Sequence, residues 1–158
     1  MIIALTLFTL SRENDMPQIH IASDHAGVDY KAIITGTLES MGYEVQDHGT
    51  HNTQSCDYPV FAHELCNAVE AEENGVGILI CGTGIGMSMA ANRHKGIRAA
   101  LCTTELHARL TRQHNNANVL CLGARMTGEA QALAIVKAFL TTEFEGGRHQ
   151  RRIDLLQA

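Results

Sequence analysis

The segment Ile78–Ala99, ILICGTGIGMSMAANRHKGIRA, decides the fold. An apolar run of strand character ends in Cys81, three glycines follow at Gly82, Gly84 and Gly86, and a helical pattern then takes over. Strand, glycine turn and helix in that order form part of a βα unit, in which close-approaching backbone and a helix N-terminus favour an anionic ligand or a developing oxyanion. The spacing is G-x-G-x-G, not the G-x-G-x-x-G of dinucleotide sites, which weakens a nucleotide-cofactor reading. Cys81 admits two readings: a small buried hydrophobe at a strand end, or a thiolate placed by the helix N-terminus to act as a base.

The same alternation extends along the chain. Strands are expected at Ile19–Ser23, Tyr43–Asp47, Gly77–Cys81, Ile97–Cys102 and Asn118–Leu122, and helices at Val28–Met41, Tyr58–Asn74, Gly86–Asn92, Thr104–His114, Gly128–Leu140 and about Arg148–Leu156. Successive βα units predict an α/β protein with a five-stranded parallel sheet. Ligands of such sheets collect at the carboxyl ends of the strands, where SDHAG, DHGTHN, CGTGIG, CTTE and LGAR fall.

At 158 residues, with 45% hydrophobic residues and no tryptophan, the chain suits one domain with an aliphatic core. A net charge of -5 disfavours a nucleic-acid or membrane-surface partner, since both need a basic face. The five cysteines lie apart and make no C-x-x-C pair, and the nine histidines complete no zinc pattern, so a reducing compartment and no structural metal are expected. The opening MIIALTLFTL lacks a basic start and a cleavage site and is too short to span a bilayer. Residues 1–15 therefore read as an extension, disordered or from an upstream start, and residues 16–158 as the single domain, with Met16 its natural beginning.

Several side chains are candidates for chemistry. Asp24 and His25 follow the first strand, where they can grip hydroxyls or move protons; Asp24 can also simply cap the next helix. His114 and Asn115 end a helix, where a histidine on the dipole and an asparagine stop are ordinary. Arg148 and Arg152, four apart, share a helix face and suit a phosphate clamp, with Arg125 a weaker second anion contact. Cys102 and Cys121 lie at strand ends without glycine turns and read as packing residues.

Together SDHAG, DYP (Asp57–Pro59), GILICGTGIGMSMAANRHKGIRAALC, RQHNNANVLCLGAR and EFEGGRHQRR resemble the type B ribose-5-phosphate isomerases of the ribose/galactose isomerase superfamily, in unbroken order from about Met16 to Arg152. The resemblance implies a Rossmann-like three-layer α/β/α sandwich and a cytoplasmic homodimer or tetramer with shared active sites. It implies interconversion of ribose 5-phosphate and ribulose 5-phosphate through an enediol in the non-oxidative pentose phosphate pathway, without metal or nucleotide. Cys81 would then be the base at C2, His114 the ring-opening group, and Thr83 a proton carrier between O1 and O2. Gly82, Gly84, Ile85 and Gly86 would hold the enediolate, Asp24, His25 and Asn115 the sugar, and Arg148 and Arg152 the phosphate, from the neighbouring subunit. Two other functions remain open: an allose- or galactose-6-phosphate isomerase of the same superfamily, and a non-catalytic nucleotide-binding domain.

Overall fold

The structure, a computed structural model, describes residues 18–157; the proposed extension over residues 1–15 lies outside the described residues. Five strands, β1 (Ile19–Ser23), β2 (Val45–Asp47), β3 (Val76–Cys81), β4 (Ala99–Leu101) and β5 (Val119–Gly123), form one sheet in the order β2-β1-β3-β5-β4, every pairing parallel. Six helices accompany them: α1 (Val28–Ser40), α2 (Tyr58–Ala71), α3 (Ile85–Ala91), α4 (Glu105–Asn115), α5 (Glu129–Thr141) and α6 (Arg148–Asp154).

The central strands are apolar on both faces because helices cover both. On one face Ile19, Ile21, Ile78, Ile80, Leu120 and Leu122 pack with Ile34 and Leu38 of α1, Ala108 of α4, and Ile135, Val136 and Phe139 of α5. On the other, Ala22, Leu79, Cys81, Val119 and Cys121 pack with Ala62, Leu65, Cys66 and Val69 of α2 and Met87 and Ala91 of α3. This alternation is the two-residue period of a pleated strand, and it makes the three layers. The moves β1 to β2 and β4 to β5 run one way across the sheet on the α1/α4 face, while β2 to β3 and β3 to β4 run the other way on the opposite face. All four crossovers consequently share one hand, as parallel connections require.

The edge strands are shorter than their apolar patterns suggest. β2 starts at Val45 rather than Tyr43, and β4 covers only Ala99–Leu101 of the expected Ile97–Cys102, because each has a single neighbour to bond. Helix α2 stops at Ala71, before the expected Asn74, and Leu155–Gln157 tighten into a 3-10 turn after α6.

Strand polarity sorts the candidate residues. Asp24, Gly82, Thr103 and Arg125 follow the carboxyl ends of β1, β3, β4 and β5. Helix α4 runs back across the sheet and ends at Asn115, just before β5 begins, so His114 lies at the opposite edge. Glu145 N–H donates to Gln113 carbonyl at 3.1 Å and ties the start of α6, with Arg148 and Arg152, to that same edge.

Candidate active site

The site divides into two groups. At the carboxyl edge, Cys81 ends β3 with its side chain nearly buried, and Gly84 N–H donates to its sulfur at 3.1 Å. Gly84 stands at φ 77°, in left-handed space, and a Cβ there would lie 2.5 Å from Leu101 Cδ1 and 2.9 Å from the Leu122 carbonyl carbon. Only glycine fits both demands. Two backbone bonds, Ala124 N–H to Cys81 carbonyl at 2.9 Å and Arg125 N–H to Gly82 carbonyl at 3.0 Å, bind the turn to the end of β5. Arg125 lies over Gly82, its guanidinium nitrogen 3.3 Å from where a Cβ would stand. Arg125, the second anion contact expected from LGAR, thus stands over the glycine turn.

Thr83 is exposed, and its hydroxyl accepts from Ile85 N–H at 3.3 Å. The Tyr58 ring fills the space beside Gly86, where a Cβ would come within 2.7 Å of it. Tyr58 escaped the sequence reading as a site residue: it opens α2, far from the glycines in sequence, and no local pattern ties the two. Asp24 is buried and caps the 3-10 turn His25–Gly27 by accepting from Ala26 N–H at 2.9 Å. Capping therefore occupies one oxygen of the Asp24 carboxylate. Its own N–H donates to Ile80 carbonyl, so the turn sits beside the end of β3, one residue before Cys81. His25 Nδ1 accepts from Cys56 N–H at 3.3 Å, which in the neutral ring puts the proton on Nε2 as a donor.

At the amino edge, His114 and Asn115 end α4. The helix stop is Asn116, at φ 45°, so the stopping role anticipated for Asn115 belongs to its neighbour and Asn115 stays exposed. Arg112 fastens this end: its guanidinium donates to Asn116 Oδ1 and the Ala117 and Thr142 carbonyls, and lies 5.5 Å above the Phe139 ring. The His114 ring stacks on that of His149, centroids 4.4 Å apart and planes 14° from parallel. Burial, the His114 imidazole and the Arg148 guanidinium lower the His149 pKa below the ordinary histidine value. His114, Asn115, His149 and Arg152 line one cleft of about 300 Å³. Arg112 carries no local signal in the sequence, and His149 reads there only as one member of the basic cluster with Arg148, Arg151 and Arg152.

The two groups do not meet within one chain. Gly77 pairs with Val119 and Cys81 with Gly123, so His114 is separated from Cys81 by the strand length between those pairs, about 13 Å. Burial pushes the thiols of Cys66 and Cys102 up to about 12 and that of Cys121 well above its ordinary value, as fits packing residues. No described helix is long and apolar enough to cross a membrane.

Comparison with known proteins gives one consistent picture. The Ribose/Galactose Isomerase family matches residues 19–156. The chain is 45% identical over 143 residues to ribose-5-phosphate isomerase B of Escherichia coli, covering 90% of this chain and 96% of that one. Among solved structures, a ribose 5-phosphate isomerase from Thermotoga maritima superposes with a TM-score of 0.87 at 49% identity, covering 90% and 98% of the two chains. Ribose-5-phosphate isomerase B from Mycoplasma genitalium, with bound ribulose-5-phosphate, gives 0.85 at 46%, covering 90% and 95%.

Proposed function

The chain belongs to the ribose/galactose isomerase family, and on that premise we propose that it interconverts ribose 5-phosphate and ribulose 5-phosphate through an enediol. The observation that carries the reading is Cys81 at the mouth of β3, its sulfur held by Gly84 N–H inside a turn whose geometry only glycine satisfies. His114 opens the furanose ring. The Cys81 thiolate takes the C2 proton of the open-chain aldose, the electron pair forms the C1–C2 double bond, and charge gathers on O1. Backbone N–H groups of Gly82 to Gly86 and the Arg125 guanidinium stabilise that oxyanion. Thr83 moves the proton of O2 to O1, and the Cys81 thiol returns its proton to C1, giving the ketose. Asp24, His25 and Asn115 hold sugar hydroxyls, and Arg148 and Arg152 bind the phosphate.

Because these groups occupy opposite edges of the sheet, the working site is assembled from two copies, the amino edge of one closing over the carboxyl edge of the other. Exposed apolar residues flank the β4 edge on both faces, Ile85 and Met89 from α3 and Leu106 and Leu110 from α4, and supply a surface for such an association. A homodimer, alone or paired into a tetramer, is the expected state, working in the cytoplasm within pentose phosphate metabolism. The test is a substrate panel with purified protein. Ribose 5-phosphate is expected to yield ribulose 5-phosphate faster than allose or galactose 6-phosphate reacts; no turnover of the pentose would overturn the assignment.

A further inference from the structure

We propose that His114, Glu145 and His149 form a binding site for a divalent metal ion of the zinc class. One donor atom from each of these side chains lies within 4.8 Å of the other two. Two imidazoles and a carboxylate are a common protein ligand set for zinc, leaving a fourth position for water. Glu145 and His149 lie four residues apart, across the turn into α6, while His114 comes from the end of α4, so the full set is not written in any one stretch of the chain.

The backbone holds the set together. Glu145 N–H donates to the carbonyl of Gln113, the residue before His114. Gly146 and Gly147 then take positive φ values of 66° and 57°, turning the chain so that Glu145 Oε2 stands 3.5 Å from His149 Nε2. His149 is 6% exposed and anchored, and stacking sets the His114 ring alongside it. A tetrahedral zinc ion with bonds near 2.0–2.1 Å needs donors about 3.4 Å apart. Rotation of the exposed Glu145 side chain closes its part of that gap, and the His114 ring turns out of its near-parallel stack so that both imidazoles point an in-plane lone pair at one ion. Arg152 lines the same cleft and repels cations, which disfavours hard, oxygen-seeking ions such as Mg²⁺ and Ca²⁺ and leaves those with strong imidazole bonds.

Binding requires nothing of the reaction. Its consequence for turnover rests on the reading above: a metal on His114 takes the lone pair or proton the ring needs to open the sugar, so zinc inhibits. The experiment titrates the intact protein with Co²⁺ alone, followed by its visible absorption, and then with Zn²⁺ in the presence of ribose 5-phosphate. One ion per chain is expected, without a thiolate-to-cobalt charge-transfer band, and Mg²⁺ does not compete. Glu145→Gln and His149→Gln each weaken binding at least about 10-fold, and the exposed Glu145 keeps the test sound if the buried His149 variant misfolds. Affinity unchanged in Glu145→Gln, or a charge-transfer band placing the metal on Cys81, overturns the site. A metal bound with these ligands that leaves turnover intact supports the site and overturns instead the assignment of ring opening to His114.

Discussion

The two edges of the sheet build their chemistry from different materials. At the carboxyl edge the polar parts are mostly backbone: a left-handed glycine, N–H groups and two bonds between the ends of β3 and β5 fix the turn at Cys81, with the Arg125 guanidinium and the Tyr58 ring against it. At the amino edge they are side chains held by other side chains, His114 by its stack on His149 and the helix end by Arg112. The difference matches the work proposed for each. An enediolate oxygen develops charge at one fixed point and is best met by preorganised donors that do not move. Ring opening and phosphate capture need charged and titratable groups, which only side chains supply. On that reading neither edge is complete, and the proposed catalytic unit is larger than the folding unit.

Breaking the carboxyl edge has the largest consequence. Cys81→Ser is expected to lower kcat by about 10²–10⁴-fold, the range for loss of a positioned base, while sugar-phosphate binding measured by calorimetry persists. Turnover near the wild-type value in that variant removes Cys81 from the mechanism. At the amino edge, Arg152→Ala loses charge-assisted bonds to phosphate worth about 1.5–3 kcal/mol, so KM is expected to rise roughly 10- to 150-fold with a smaller change in kcat. An unchanged KM places the phosphate elsewhere.

Gly84→Ala tests the backbone argument through stability. Its positive φ and the contact with Leu101 and Leu122 predict a loss of about 1–3 kcal/mol in chemical denaturation, against a gain of about 0.5–1 kcal/mol for Gly36→Ala, which meets open space in the middle of α1. Equal effects at the two positions would deny Gly84 its special role.

The smallest effect concerns pH. Burial and the His20 imidazole, whose Nδ1 lies 2.9 Å from His48 Nε2, lower the His48 pKa. A histidine whose folded pKa is depressed favours the neutral folded state. Its contribution is therefore present above the unfolded value near 6.5 and is lost as pH falls through the lower folded value. His48→Gln should flatten the acid side of the stability curve between those two values; an unaltered slope means His48 does not titrate as described.

Much of this was legible in the sequence. The three central strands read from the sequence to within a residue at each end, because short apolar runs mark them, and the glycine turn is legible by type and position. The edge strands were over-read, since a β-branched or apolar run does not reveal how many neighbours will bond it. Tyr58 beside Gly86 and the stack of His149 on His114 depend on contacts between distant elements, which no local period encodes. The separation of His114 from Cys81 is contained in strand polarity, since a helix that precedes a parallel strand must end at that strand's amino edge, and it fits the shared active sites that the family resemblance implies.

The central claim is that one working site draws on two chains, and complementation tests it most directly. Cys81→Ala and His114→Ala proteins, each inactive alone, are unfolded, mixed in equal amounts and refolded together. In a two-fold dimer half of the molecules are hybrids, each with one intact site of two, so about a quarter of wild-type turnover should return. Hybrids demonstrated by mass spectrometry that remain inactive would contradict the account and place both residues in a site within one chain.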